Sequence, residues 1–149
     1  MKKFISLFIV FIMLFSTVAF ADEEITGETA SVVLNGEKIE FDVNPMIIND
    51  RTMVPMRKIF EKLGAQVEWV EQSEMIFATK GAKCILLQIN VPAMAINDFA
   101  KEEITKFELD TAPIIVNDRT LVPLRAVSES LDMNVEWDES TYTVYITDK

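Results

Sequence analysis

Apolar and polar residues alternate along most of the chain, and helical spacing replaces that alternation in two places. Short extended runs such as Val32–Leu34 are bounded by Asn-, Asp- or Gly-containing turns, which is typical of antiparallel strands. Two segments instead carry apolar residues at the i, i+3, i+4, i+7 spacing of one helix face. They are Met56, Ile59, Phe60 and Leu63, and then Leu124, Val127 and Leu131. The pattern predicts an α+β fold in which short antiparallel strands pack around two helices.

The same pattern occurs twice. Pro45-Met-Ile-Ile-Asn-Asp-Arg-Thr-Met-Val-Pro-Met-Arg recurs as Pro113-Ile-Ile-Val-Asn-Asp-Arg-Thr-Leu-Val-Pro-Leu-Arg, and the two copies align without a gap. Between Pro45 and Trp69, more than half of the positions are identical to their partners in the second copy. An internal repeat of this kind decides the architecture. We expect residues 31–149 to form one compact domain of two repeats, about 31–80 and 81–149, with approximate two-fold symmetry.

The N-terminal segment, 1–21, has the features of a secretory signal peptide. Lys2 and Lys3 precede an apolar run from Phe4 to Phe20, and Ala19-Phe20-Ala21 supplies small residues for cleavage after Ala21. A retained membrane anchor is the alternative, because the run is at the lower limit of a membrane-spanning length. Cleavage predicts a secreted or cell-wall-associated protein without a transmembrane segment. Residues 22–30 are acidic and without pattern, which predicts a flexible leader.

Charge and composition exclude several classes of function. The formal charge is −10, and the loss of the two positive charges of Lys2 and Lys3 makes it −12, which disfavours a nucleic-acid partner. The chain has no histidine, so histidine-based triads and histidine-ligated metal sites are absent. The single cysteine, Cys84, lies in an apolar run and predicts a buried thiol, with intermolecular pairing as the alternative. Calcium remains open for so acidic a chain, although no Asp-x-Asp-x-Asp-Gly loop is present.

Six residues are candidates for ligand binding: Trp69, Trp137, Arg51, Arg119, Asp50 and Asp118. The Arg-Asp pairs could bind a carboxylate or a sugar, or they could close the turn in which they lie. Their presence at the same place in both repeats favours the structural interpretation. The two tryptophans could stack on sugar rings, but we favour a place in the core beside each helix.

Other charged residues point to structure rather than chemistry. Arg57 and Arg125 precede Glu61 and Glu129 by four positions, which predicts ion pairs along each helix. No spacing singles out the two carboxylates that a glycosidase would need. The sequence therefore predicts no catalytic residues and a protein that is not an enzyme.

The repeated motif resembles a known family. Asn-Asp-Arg-Thr-x-Val-Pro-x-Arg, followed by a helix ending in Leu-Gly and by Val-x-Trp, resembles the copper amine oxidase N-terminal-like or stalk domain of secreted Gram-positive proteins. The resemblance spans about residues 31–147 and implies an antiparallel sheet curled around a helix in a non-catalytic accessory or spacer module. Asp132 departs from the pattern, since glycine is usual there.

The resemblance does not imply oxidase activity. An amine oxidase needs three copper-binding histidines and a tyrosine, converted to a quinone, within Asn-Tyr-Asp or Asn-Tyr-Glu. Tyr142 and Tyr145 lie instead in Thr-Tyr-Thr and Val-Tyr-Ile. We therefore expect neither copper nor a quinone, and no other cofactor.

Two functions remain open. The first is a secreted, non-catalytic structural or interaction module of the cell envelope, which presents a rigid β face or edge to a protein partner or to a second copy of itself. The alternative is a module that binds cell-wall glycan or peptide through the tryptophans and the Arg-Asp turns. Exposure of the two tryptophans distinguishes them.

Overall fold

The structure, a computed structural model, describes residues 25–149. The predicted signal peptide, 1–21, lies outside the described residues. The strands are β1 (Ile25–Thr29), β2 (Ser31–Leu34), β3 (Glu37–Lys38), β4 (Met46–Ile48), β5 (Arg51–Pro55), β6 (Gln66–Val70), β7 (Met75–Lys80), β8 (Lys83–Gln88), β9 (Ala93–Asp98), β10 (Glu103–Glu108), β11 (Ile114–Val116), β12 (Arg119–Pro123), β13 (Met133–Asp138) and β14 (Thr143–Asp148). The helices are α1 (Met56–Lys62) and α2 (Leu124–Ser130).

Three sheets surround the two helices. Their strand orders are β1-β4-β5-β12-β11, β10-β9-β8-β7-β6 and β13-β14-β2-β3. The described strand pairs are antiparallel, except that β14 pairs parallel with β2. The chain is thus mostly β with two helices, and the predicted α+β class is confirmed. Neither helix within residues 25–149 is long and apolar enough to span a membrane.

The two repeats meet through strands β5 and β12. These strands pair antiparallel at the centre of their sheet, with Val54 opposite Val122. Both valines are fully buried. Each strand runs directly into a helix, because Pro55 and Pro123 end the strand and cannot donate the backbone hydrogen bond that a sheet interior requires. The junction therefore fixes the two helices relative to one another.

The sheets combine strands from both sides of the boundary expected between 31–80 and 81–149. The N-terminal hairpin β2–β3 pairs with the last strand of the second repeat, β14. Strands β8, β9 and β10 instead extend the sheet begun by β6 and β7 of the first repeat. Each repeated motif is therefore completed by strands that lie outside it.

The predicted helix faces form the core. Met56, Ile59, Phe60 and Leu63 of the first copy are buried, as are Leu124, Val127 and Leu131 of the second. One hydrophobic cluster contains both sets, so the repeats share their main core. The position of Phe60 is taken in α2 by Ser128, whose hydroxyl is buried and has no hydrogen-bond partner among the described residues. The second helix thus packs the same face with less apolar volume.

The predicted flexible leader, 22–30, contains a strand in the part that the structure describes. Strand β1 pairs antiparallel with β4 and is the edge strand of the β1-β4-β5-β12-β11 sheet. Ala30 is buried, and its amide donates to the Pro45 carbonyl at 3.1 Å. The short, Gly-containing segment carries little apolar alternation of its own. Pairing with the open edge of β4 orders it, which the local pattern did not indicate.

Both helices end in a left-handed residue. Gly64 has φ +80°, and Asp132, at the repeat-related position, has φ +64°. The two backbone amides make the same 3.0 Å hydrogen bond, to the carbonyls of Glu61 and Glu129 respectively. Asp132 is also held by Lys83, whose Nζ lies 2.6 Å from its carboxylate. Asp132 thus adopts the same left-handed conformation as Gly64 and is also held by an ion pair with Lys83 of β8.

Candidate functional site: two repeat-related clefts

Two clefts of similar size lie at the contact between the repeats. The Trp137 cleft has a volume of about 590 Å³ and the Trp69 cleft about 570 Å³. Every residue that lines the Trp69 cleft has its repeat-related residue in the lining of the Trp137 cleft. Both volumes fall in the range of ordinary ligand sites. The two clefts therefore share a set of repeat-related lining residues, and the Trp137 cleft has further lining residues of its own.

Each cleft takes residues from both repeats. The Trp137 cleft combines Trp137 of the second repeat with Asp50 and Arg51 of the first. The Trp69 cleft combines Trp69 of the first repeat with Asp118 and Arg119 of the second. The six candidates from the sequence are thus brought together in two groups of three, but each tryptophan meets the Arg-Asp turn of the other repeat.

The turns that carry the arginines have the same backbone in both repeats. Asn49 and Asp50 have φ values of 49° and 59°, and Asn117 and Asp118 have 49° and 60°. Two consecutive positive values are the mark of a tight hairpin turn, and Asn and Asp tolerate them best. The arginine that follows begins the next strand, so its side chain starts from a fixed point.

Both arginines form ion pairs with aspartates that lie outside their own turn. Arg51 Nε donates to Asp110 Oδ2 at 2.8 Å, and Arg119 Nε donates to Asp42 Oδ2 at 2.8 Å. The predicted pairing within the turn is limited to the backbone, since each arginine donates to the carbonyl rather than the carboxylate of the preceding aspartate. The pairs are largely exposed, so solvent screening leaves each of them only a minor contribution to stability. Their main effect is to position the arginines at the cleft walls.

The Arg119 hydrogen bond lowers the pKa of Asp42 below its ordinary value of 3.8. A smaller effect of burial acts in the opposite direction, and the backbone amide of Val43 adds a second stabilising hydrogen bond. Asp42 therefore stays ionised to a lower pH than an unpaired aspartate does. The ion pair at the wall of the Trp69 cleft therefore persists as the pH falls, until the lowered pKa of Asp42 is reached.

Trp137 and Trp69 differ in exposure. Trp69 is half-buried and packs against the main core, as predicted. Trp137 is 39% exposed, so the expectation of a core position is wrong for this residue. Its ring contacts Tyr142 at a centroid distance of 5.7 Å and an interplanar angle of 87°. The two rings form perpendicular walls, with Trp137 open to solvent.

The turn between β13 and β14 holds Tyr142 in place. The Asp138 carboxylate accepts hydrogen bonds from the amide and the hydroxyl of Ser140, at 2.9 and 2.6 Å. The Ser140 hydroxyl and then Thr141 lower the pKa of Asp138. Tyr142 itself has φ +49°, which is unfavourable for an aromatic residue. Its hydroxyl donates to Glu28 at 3.5 Å, which links the turn to β1.

The helix ion pairs form in one repeat only. Arg125 Nη1 lies 3.3 Å from Glu129, and the same nitrogen donates to the Val135 carbonyl at 3.1 Å. Arg57 and Glu61, the repeat-related residues, form no ion pair within the described part of the chain, so that prediction is wrong. The guanidinium of Arg57 lies at the wall of the Trp69 cleft with no carboxylate of residues 25–149 paired to it.

No group of three or more Cys, Asp or Glu side chains within residues 25–149 is arranged to hold a metal ion. Cys84 is only half-buried, on β8, and its thiol is free. The predicted buried thiol is therefore only partly shielded.

Several residues of the clefts were not identified from the sequence. Asp42 and Asp110 occupy repeat-related positions, so extending the repeat upstream of Pro45 would have found them. Tyr142 and Thr111 have no counterpart of the same type, because Glu74 and Val43 take their places. Only the fold reveals that these two lie beside Trp137.

Comparison with known proteins gives one assignment. No curated protein sequence matches this chain. The family model of the copper amine oxidase N-terminal domain matches residues 33–146, which covers both repeated motifs and most of the lining of both clefts. This N-terminal domain is a non-catalytic accessory domain of the amine oxidases. The chain belongs to the copper amine oxidase N-terminal domain family.

Proposed function

We propose that the protein is a secreted, non-catalytic binding module of the cell envelope, and that the Trp137 cleft holds a segment of a cell-wall polymer. The observation that carries this proposal is the exposed face of Trp137. Trp137 is partly exposed and contacts Tyr142 at 5.7 Å, and an exposed indole offers a flat surface to a sugar ring or to a peptide.

The walls of the cleft support the same function. The ion pair with Asp110 favours one position of the Arg51 guanidinium at the wall of the cleft, which supports a preformed site. Binding to a preformed site avoids the loss of side-chain entropy that ordering would require. No residue of the cleft is arranged as a nucleophile with a histidine base, since histidine is absent from the chain.

The proposal includes an approximate two-fold relation between the repeats. The opposition of Val54 and Val122, which are repeat-related, supports it. The exchange of Arg-Asp turns between the clefts supports it as well. Under this relation the same domain presents two clefts with repeat-related lining residues. We assign polymer binding to the Trp137 cleft, because its tryptophan is the more exposed of the two.

Co-sedimentation of the purified protein with cell-wall sacculi tests the proposal. We expect wild-type protein to sediment with the sacculi. Trp137→Ala should lose about tenfold in affinity, because loss of an aromatic contact of about 1.4 kcal/mol corresponds to that factor.

A matched control is available on the neighbouring strand. Tyr145 is 40% exposed, close to the value for Trp137, but it lies outside both clefts. Tyr145→Ala should therefore retain wild-type binding. Failure of wild-type protein to sediment, in the presence and absence of calcium, would overturn the proposal, as would equal losses in the two variants.

A second function is favoured by the open edge of β10. Among the described strands this one pairs only with β9, and apolar side chains of the hairpin are exposed, namely Phe99, Ile104 and Phe107. An open, apolar strand edge is a template for a strand of another chain. The edge therefore supports self-association through β10. Sedimentation equilibrium of wild-type protein and Ile104→Lys tests this function: a concentration-dependent dimer that the lysine variant abolishes supports it, and a monomer throughout excludes it.

A further inference from the structure

We infer that the Trp137 cleft binds the ammonium group of a basic peptide, such as a lysine or diamino acid side chain. The inference deepens the proposed function and rests on it, since it specifies the chemistry of the ligand for the same cleft.

The charges of the cleft are strongly unbalanced. Six carboxylates line it against two guanidinium groups, those of Arg51 and Arg125. Asp110 is paired with Arg51, and Glu129 is paired with Arg125. Both cations of the cleft are thus neutralised by carboxylates of the cleft. Four carboxylates remain without an ion pair within the described residues: Glu28, Asp50, Glu108 and Glu139.

The aromatic rings add a second attraction for a cation. Trp137 and Tyr142 meet edge to face at 87°, so the ring whose edge makes the contact keeps both of its own faces free of the other ring. The face of an indole or phenol ring carries partial negative charge and attracts an ammonium group within about 6 Å. The Tyr142 hydroxyl donates to Glu28, which places a carboxylate beside the same corner.

A buried hydroxyl lies in the wall of the same cleft. Thr111 is 3% exposed, and its Oγ1 has no hydrogen-bond partner within residues 25–149. Buried hydroxyls nearly always have a partner, so the Thr111 hydroxyl retains the capacity to accept a hydrogen bond from a donor at this wall of the cleft. An ammonium group has three donor hydrogens. It can therefore donate to the Thr111 hydroxyl oxygen and to a carboxylate at the same time.

The Trp69 cleft lacks each of these features. Four carboxylates line it against three cations, and Arg57 and Lys58 form no ion pair within the described residues. The position of Tyr142 is taken by Glu74, and that of Thr111 by the apolar Val43. The charges of Arg57 and Lys58 in its wall repel an ammonium group. The Trp69 cleft is therefore an internal control of similar volume and different chemistry.

Fluorescence titration tests the inference. The chain has two tryptophans, so Trp69→Phe leaves Trp137 as the sole reporter. We expect saturable quenching of Trp137 by a trilysine peptide, which weakens with salt, and about tenfold weaker binding of the same peptide with acetylated lysines. Isothermal titration of wild-type protein gives the same comparison if Trp69→Phe does not fold.

Matched charge variants locate the site. Glu139→Gln should weaken binding of the lysine peptide about threefold to tenfold, while Glu71→Gln, at the repeat-related position, should leave it unchanged. Equal binding of the acetylated and unmodified peptides, or equal effects of the two variants, would overturn the inference.

Failure of the inference and failure of the proposed function have different signatures. Sacculi binding that depends on Trp137, without binding of the lysine peptide, would overturn the ammonium ligand and keep the module. Absence of both would overturn both. Binding of the lysine peptide to the two clefts alike would overturn the assignment to the Trp137 cleft.

Discussion

The two clefts are built from repeat-related backbone elements and differ in the side chains that line them. Both contain a tryptophan, a Pro-initiated helix and an Arg-Asp turn from the other repeat. Beside Trp69, the positions of Tyr142 and Thr111 are taken by Glu74 and Val43. Two cations of the Trp69 cleft, Arg57 and Lys58, have no ion pair among the described residues. In the Trp137 cleft the charged groups without such an ion pair are all carboxylates. The two repeats thus share the backbone of the turns and the arginine ion pairs, while the residues beside each tryptophan differ in chemistry.

The two helices also differ at one repeat-related position, and substitutions there should have the largest effect on the free energy of unfolding. Phe60 and Ser128 occupy repeat-related positions that are both fully buried. Phe60→Ala should lower the free energy of unfolding by about 3–5 kcal/mol, because it leaves a cavity in the shared core. Ser128→Ala should raise it by about 1 kcal/mol, because the hydroxyl that it removes is buried and unpaired among the described residues. Urea unfolding measures both. A loss of stability in Ser128→Ala would mean that this hydroxyl is satisfied.

The tryptophans separate stability from binding. Trp69→Ala should lower the free energy of unfolding by about 2–3 kcal/mol, since its ring packs against the main core but is not fully buried. Trp137→Ala should lower it by about 1 kcal/mol, the contribution of its contact with Tyr142. Thermal unfolding of the two variants, compared with their ligand binding, gives the test. Equal losses of stability would remove the distinction between a core tryptophan and a binding tryptophan.

The helix ends differ by one residue in a left-handed position. Gly64→Asp should lower the free energy of unfolding by about 1 kcal/mol, because the cost is in the backbone conformation and its new Cβ has room beside Lys80. Asp132→Gly should be nearly neutral in wild type, since relief of that cost is offset by loss of the Lys83 ion pair. In a Lys83→Met background the same change should stabilise by about 1 kcal/mol. A neutral effect there would show that the left-handed aspartate costs nothing.

The smallest expected effect concerns the ion pair between Asp42 and Arg119. Because the Arg119 hydrogen bond lowers the pKa of Asp42 in the folded protein, its contribution to stability is present above the unfolded value near 3.8 and is lost as the pH falls through the lowered value. Asp42→Asn should therefore flatten the acid limb of a plot of urea midpoint against pH. Asp118→Asn is the control, since that carboxylate has no ion pair within the described residues. Parallel curves for wild type and Asp42→Asn would show that the pair does not form in solution.

Local patterns predicted the elements well and their partners poorly. The helices and the Asn-Asp turns follow from apolar spacing and from residues that tolerate positive φ, so a short segment contains the information. The strand order depends on pairing between distant segments. Nothing in Val32-Val33-Leu34 indicates that its neighbour is β14 rather than a strand of the first repeat.

In the candidate site, too, the residue types were predictable from local sequence and their spatial grouping was not. The residue types that the repeat marked, tryptophan, arginine and aspartate, do line the clefts. Their grouping was not predictable, because each Arg-Asp turn joins the tryptophan of the other repeat. The exposure of Trp137 was missed, since Val135-Glu136-Trp137 and Val67-Glu68-Trp69 are the same tripeptide and differ only in their surroundings.

The parallel pairing of β2 with β14 has a consequence for how the chain reaches its native state. Ser31 lies opposite Thr143, so strands from the two ends of the described chain are neighbours in one sheet. Contacts between such distant segments slow folding, because the loop that they close must be ordered first. During synthesis β2 has only β3 beside it until the last strand is complete. Removal of either terminus would therefore expose a strand edge in the other repeat, and the two repeats should fold in one concerted step.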